Sequence, residues 1–443
     1  MTVDRLARRD LLAYAAYALP LAMAALPVYV HVPKLYADEL GLPLATVGAV
    51  LLGCRLFDAV QDPLFGWLSD RASGQGRGRS RLMLLSLPLL ALGFVGLFHP
   101  PAGGGAMLAW WLTGCLVVAY LGFSMGSISY YAMGAELSDD PHERTRVTAT
   151  RGALAVCGVL VAAAVPELLS ARLGATRGLA LFSLAFVPVL LLAAAITLRA
   201  VPRAPRPHSP TAARPEKLYR ALLDPLRNPA YRWLIAVSIL SGIAAAIPGT
   251  LILFYVQDVL VRPDLSGLFL ALYFLFAAAG MPFWIAASRR AGKKRAWLLG
   301  MVLSVAAFAW AYLLGAGDVA AFAIVCALSG IAYGAELAIP PSILADIVDR
   351  DPARHRPDGA YFGVWQMIDK LNLALAAGLA LPLLQWLGYT PGAVQPAQAT
   401  LSLTYALVPC IIKLAAIVCL WVAPLQLPQR LPTALNRTGA CTP

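Results

Sequence analysis

Charge is what this sequence has least of. Only 13% of its 443 residues are charged, while 60% are hydrophobic and the mean hydropathy is +0.71. A water-soluble domain carries about a quarter charged residues, so the soluble class is excluded and a membrane protein is implied. Histidine is scarce as well, at five residues. Only His31 falls in an apolar run, which leaves no constellation for catalysis within a membrane. Cysteine numbers seven, an odd count. Cys54, Cys115, Cys157, Cys326, Cys410 and Cys419 lie inside apolar runs and read as small packing residues, which excludes a disulfide framework.

What the chain has in quantity is apolar length. A helix needs roughly 20 residues to cross a hydrocarbon core of about 30 Å. Runs of that order recur at 11–35, 44–68, 82–98, 107–133, 147–169, 178–199, 231–256, 265–288, 296–315, 319–345, 359–386 and 401–424. The fold class expected is therefore all-α and integral to the membrane, with twelve transmembrane helices. MTVDRLARRD and the run after it superficially suggest a secretory signal. The run is too long and lacks a clear small-residue cleavage site, so it is read as a retained first span.

The net charge of +12 invites a nucleic-acid partner, but its distribution argues against one. With the N-terminus placed in the cytoplasm, 26 of the 35 Lys and Arg fall in the termini and in alternate loops. Lys34, Arg172, Arg177 and Arg262 fall on the other side. That asymmetry is the positive-inside rule and puts both termini in the cytoplasm, at a plasma (inner) membrane. Basic runs such as SRRAGKKR, 288–295, are read as topology signals and contacts to anionic lipid.

The longest polar segment, RAVPRAPRPHSPTAARPEKLYRALLDPLRN, reads as a Pro/Arg-rich linker with a short amphipathic helix near 218–226. It divides the spans six and six, giving an N-terminal half 1–198, a linker 199–230, a C-terminal half 231–428 and a tail 429–443. The halves echo each other. An offset of 219 matches Tyr36 with Tyr255 and Pro63 with Pro282, and GAELSDDPHERTR resembles LADIVDRDPARHR with Glu136 opposite Asp346. Two parallel repeats imply two pseudo-symmetric six-helix bundles. The same offset sets Asp58 against Ala277 and Asp62 against Met281, so only the first half carries this charged site.

Ionisable groups at bilayer depth cost about 2.5 to 3.5 kcal/mol each on insertion scales, so they face a cavity or a partner. In RLFDAVQDPLFGWLSD, Asp58 and Asp62 stand four residues apart on one helical face, with Arg55 three residues earlier. Arg151, Asp369, Lys370 and Lys413 complete the set read from the spans. Two carboxylates with nearby hydroxyls make a hard oxygen cage for Na⁺, or for H⁺ on one of the carboxyls. The alternative is helix glue, with Arg55 pairing Asp58 and Lys370 neutralising Asp62. Glycosidase chemistry, which also uses paired carboxylates, is disfavoured by the location in a span. Pro20, Pro27, Gly122, Gly126, Pro340 and Pro341 mark places where helices could open, although small-xxx-small packing accounts equally well for Gly122 and Gly126.

GWLSDRASGQGRGRSR resembles the G-x-L-x-D-R-x-G-R-R signature of the major facilitator superfamily, with an insertion before Arg77 and Arg79. By that resemblance Gly66, Asp70, Arg71 and Arg79, together with Glu136 and Asp346, would form a cytoplasmic gate. The span 2 pattern of Arg55, Asp58, Asp62, Pro63 and Gly66, with Arg151 and Lys370, resembles the glycoside-pentoside-hexuronide:cation symporters, the melibiose permease family. The resemblance implies that Asp58, Asp62 and Ser124 bind the coupling Na⁺ or H⁺, with Arg55, Lys370 and Arg151 as charge partners. It implies a substrate cavity involving Tyr29, Ser127, Tyr131, Trp365 and Asp369, with Tyr131 stacking on sugar. The family's two sugar-binding acids fall at about Ala22 and Ser127, and span 1 offers only Tyr14, Tyr17, Tyr29 and His31 as polar groups.

The expectation is a secondary transporter, not an enzyme, working by alternating access, without a cofactor and as a functional monomer in lipid. Its small-molecule solute is a sugar or glycoside by the family default. A less polar or amphipathic solute such as a lysolipid is the alternative, and a non-transporting membrane enzyme or scaffold is the reading from another class.

Overall fold

A computed structural model describes residues 6–73, 78–135, 137, 141–200, 225–349, 358–391 and 397–425. Among them the chain is helical, with twelve helices long and apolar enough to cross a membrane. In the first half these are span 1 (Arg8–Glu39), span 2 (Leu44–Asp62), span 3 (Gly78–Leu97), span 4 (Ala106–Gly134), span 5 (Arg146–Leu173) and span 6 (Ala175–Arg199). In the second half they are span 7 (Pro229–Asp258), span 8 (Pro263–Ala291), span 9 (Lys293–Ala311), span 10 (Val319–Val348), span 11 (Val364–Trp386) and span 12 (Gln398–Val422). Each run read from the sequence has its helix. Much of the linker and tail lies outside the described residues, including most of the helix expected near 218–226.

Hydrocarbon offers backbone groups no partners, so an internally hydrogen-bonded helix is the economical way across. Leu192, Leu313, Trp386 and Trp421 are exposed on the outer surface, where lipid replaces water as their solvent. Local chemistry sets the ends. Asn228 caps span 7 by accepting from the amides of Ala230 and Tyr231, with Pro229 at the first helical position. Gly292, at φ 87°, turns the chain from span 8 to span 9 in a single residue, a conformation that suits a residue without Cβ.

The glycines and prolines singled out in spans 4 and 10 do not break them. The helices Ala106–Ala135 and Val319–Asp349 are continuous. Gly122 serves packing: a Cβ there would stand 2.3 Å from the Leu90 amide nitrogen of span 3. Irregularity is found in span 1, which is interrupted between Arg8–Ala15 and Ala18–Lys34, just before Pro20, and is π-helical at Leu35–Glu39, and in span 12, at π-helical Leu403–Leu407.

The sequence repeat has a structural counterpart. Tyr36 donates to the Leu97 carbonyl at the end of span 3, at 3.0 Å. Its match Tyr255 donates to the Ala311 carbonyl at the end of span 9, at 2.6 Å. Each half is therefore braced by the same tyrosine at the same place.

The two halves meet toward the membrane face opposite the termini. Odd-numbered spans run away from the terminal side, so the ends of spans 1, 7 and 11 and the start of span 2 share the far face. There Gln257 donates to Asp38 at 2.8 Å, and the Ala45 amide donates to Gln385 at 2.8 Å. Gly48 sits where a Cβ would be 2.9 Å from Pro382, and Tyr29 reaches across to the Ala246 carbonyl. Deeper in the membrane, the two halves are joined by Lys370.

Candidate functional site

Lys370 in span 11 faces the carboxylates of span 2. Asp58 and Asp62 stand about one turn apart because of their spacing on a helix, and both meet the same ammonium: Asp58 at 3.1 Å, and Asp62 in a closer ion pair. Asp58 is 1% exposed. Its Oδ1 accepts from Ser124 at 2.7 Å and from Gln61 at 3.0 Å, while Arg55 approaches its Oδ2 at 3.4 Å. Lys370 also donates to Ser124 Oγ at 3.2 Å. Spans 2, 4 and 11 thus converge on one buried polar cluster.

Two oxygens in this cluster remain unsatisfied. Among the described residues, Asp62 Oδ1 and Gln61 Oε1 are buried without a hydrogen-bond partner, and such atoms are costly when left so. The oxygens of Asp58, Asp62, Gln61 and Ser124 form a hard donor set of the kind Na⁺ takes, and a carboxylate oxygen equally takes a proton. Gln61 was passed over in the sequence, although its position one turn after Asp58 puts it on the same face.

Arg55 adds a ring contact to its approach to Asp58, and Arg151 goes elsewhere. Arg55 lies over the Tyr120 ring, 4.4 Å from its centroid. Arg151 lies 4.4 Å over the ring of Tyr131, beside the Tyr14–Tyr130 stack. One face of Tyr131 is therefore occupied by a guanidinium. Ser127 is buried and turns its hydroxyl back to the Ser124 carbonyl at 3.3 Å.

A cavity of about 310 Å³ opens beside the cluster and belongs almost wholly to the second half. Among the described residues of the first half, Tyr29 and Val30 line it. Trp365 and Asp369 are on its wall, as expected, together with Tyr273, Tyr333, Asn372 and Glu336. Glu336 escaped the sequence reading, although an acid in GIAYGAELAIPP was a visible signal. Its Oε1 accepts from Ser241 at 2.6 Å and from Lys413 at 3.0 Å, and its Oε2 accepts from the Trp297 indole at 3.1 Å. Lys413, buried, donates also to the Ser241 carbonyl at 3.1 Å. That second ion pair lies wholly within the second half.

On the terminal side, Asp346 pairs with Lys293 at 2.6 Å, and Lys294 donates to the Trp421 and Ala423 carbonyls at the end of span 12. Part of the basic run 288–295 thus ties helix ends. Arg79 stands in the first turn of span 3. The side chains of Gly66, Asp70, Arg71 and Glu136 lie outside the described residues.

Twelve membrane-spanning helices with this packing are the architecture of a major facilitator superfamily transporter. Solved structures of that fold superpose along nearly the whole chain. The nucleoside transporter NupG aligns with a TM-score of 0.69 at 13% identity, covering 93% of this chain and 99% of that one. A D-xylose-proton symporter aligns with a TM-score of 0.69 at 14% identity, covering 94% and 96%. The chain belongs to the MFS/sugar transport protein family, whose model matches residues 11–426. It is similar to the sphingosine-1-phosphate transporter MFSD2B of Mus musculus, at 25% identity over 87% of this chain and 83% of that protein. It is similar also to the putative glycoside/cation symporter YagG of Escherichia coli (strain K12), at 24% identity over 85% and 83%. The sodium-dependent lysophosphatidylcholine symporter 1 of Gallus gallus matches at 22% identity over 80% and 74%. The chain is a multi-pass membrane transporter and not an enzyme.

Proposed function

We propose that this transporter is a symporter in which Na⁺ or H⁺ binds at Asp58 and Asp62, with Ser124 and Gln61 as further oxygens, and solute occupies the cavity of the second half. The observation that carries the reading is the buried Oδ1 of Asp62, unpartnered among the described residues, in a carboxylate pair held by one ammonium. Lys370 and the coupling ion compete for the same oxygens. Ion entry releases Lys370 from Asp62 and weakens a tie between the halves, and ion exit restores it. Ion binding thereby biases alternating access by differential affinity for two states. The basic loops favour a plasma (inner) membrane with both termini cytoplasmic, and a single chain supplies both the ion site and the cavity.

The solute we favour is amphipathic. Ala245, Ala246, Ile252, Leu270, Phe308 and Leu373 give the cavity an apolar wall, and the positions at which the resemblance calls for sugar-binding acids hold Ala22 and Ser127. A glycoside is the second reading, supported by the relative described as a glycoside/cation symporter.

Uptake by proteoliposomes under imposed Na⁺ or H⁺ gradients, with lysolipids and glycosides as candidate solutes, tests both points. Gradient-driven uptake that disappears in Asp58→Asn and Asp62→Asn is the expected result. Uptake indifferent to both gradients and to both substitutions would refute symport.

A further inference from the structure

The cavity wall carries two carboxylates, and they are in opposite states. Glu336 is fully engaged by Lys413, Ser241 and Trp297. Asp369 is exposed to the cavity, and among the described residues no lysine, arginine or histidine pairs with it. Its sequence neighbour Lys370 is committed to Asp58 and Asp62 across the interface. No basic side chain lines the cavity among the described residues. A carboxylate at membrane depth calls for a cation, and the described residues supply none here.

The surroundings select the kind of cation. Trp365 stands one turn earlier on span 11 and lines the same cavity, and Tyr333 is an electrostatic neighbour of Asp369. Tyr333 stacks with Tyr273, ring centroids 5.5 Å apart, and Tyr29 and Tyr405 close the same wall. Aromatic faces attract weakly hydrated organic cations while accepting apolar bodies. A small, strongly hydrated inorganic ion is better served by the oxygen cluster at Asp58 and Asp62.

We propose that the solute carries an organic ammonium group on an apolar body, with Asp369 as its counter-charge and Trp365 and Tyr333 as its flanking rings. This rests on the transport reading above and names the charge of its cargo. A neutral sugar would leave Asp369 uncompensated, and an anion without a cationic group would be repelled by it.

The test uses the full chain in nanodiscs and three aromatic probes of similar size: phenyltrimethylammonium, its neutral isostere tert-butylbenzene, and benzenesulfonate. Binding is read as a saturable shift in thermal unfolding. The cation should bind at least tenfold more tightly than the neutral isostere, with no saturable effect of the anion. Asp369→Asn should bring the cation down to the level of the neutral probe. Equal binding by all three probes, no saturable cation binding, or unchanged cation affinity in Asp369→Asn would each overturn the proposal. The probe series on the unsubstituted protein decides the matter even if the variant does not fold. The Na⁺ and pH responses of the same samples, compared with Asp58→Asn, report separately on symport. If they persist while charge selection fails, the cargo assignment falls and symport stands.

Discussion

Lys370 of span 11 and Asp58 of span 2 meet at 3.1 Å across the interface between the halves, with Asp58 almost wholly removed from solvent. Neither group is well placed alone. Removing one partner of a buried pair typically costs about 3 to 5 kcal/mol, because the other charge stays behind. Lys370→Ala should therefore lower the unfolding temperature markedly in Na⁺-free buffer. If the ion and the lysine compete for the same oxygens, Na⁺ should then restore stability more in Lys370→Ala than in the unsubstituted protein. An identical Na⁺ response in both proteins would show that the two cations do not share a site.

Ser124 and Ser127 lie one turn apart and differ in what their hydroxyls do. Ser124 donates to Asp58 and accepts from Lys370, whereas Ser127 turns back to its own helix. Ser124→Ala leaves a buried carboxylate oxygen short of a donor and should cost about 1 to 3 kcal/mol, with weaker ion dependence of uptake. Ser127→Ala should change neither by much. Parallel unfolding curves and uptake titrations on the two variants compare them directly.

The Glu336–Lys413 pair makes a prediction independent of transport. Glu336→Gln leaves the buried Lys413 ammonium without its counter-charge and should destabilise by about 3 to 5 kcal/mol, while Glu336→Gln combined with Lys413→Met should recover much of the loss. A double-mutant cycle from denaturation measurements gives the coupling. Additive effects would mean that the contact is energetically idle.

The crossing of spans 3 and 4 predicts a contrast between two glycines of the same helix. At Gly122 an added Cβ would stand 2.3 Å from the Leu90 backbone nitrogen, while at Gly114 it meets nothing within 4 Å. Gly122→Ala should force the helices apart and lower thermal stability, at a cost of about 1 to 3 kcal/mol for overpacking. Gly114→Ala should be neutral or slightly stabilising. Detergent-solubilised thermal melts suffice to separate them.

The twelve spans were legible because hydrocarbon thickness imposes a length and a composition that a sequence displays directly. Asp58 and Asp62 were legible because helical spacing is local. That Lys370, 308 positions beyond Asp62, should reach the same point came from family resemblance, since no local rule joins spans 2 and 11. The cavity was only partly legible. Trp365 and Asp369 were anticipated, whereas Glu336 and Tyr273 reach the wall through packing of separate helices, and its one-sided placement in the second half follows from that packing. Pro340 and Pro341 looked like breaks and lie within a continuous helix.

Asp369 and Lys370 are consecutive residues, and consecutive side chains on a helix point about 100° apart. One looks into the cavity and the other grips the carboxylates of the opposite half. On the proposed reading span 11 would work like a cam: a turn about its long axis that withdraws the ammonium from Asp62 would also re-aim the carboxylate on the cavity wall. Cargo and driving ion would then be geared through a single peptide bond, with no relay of side chains needed between them.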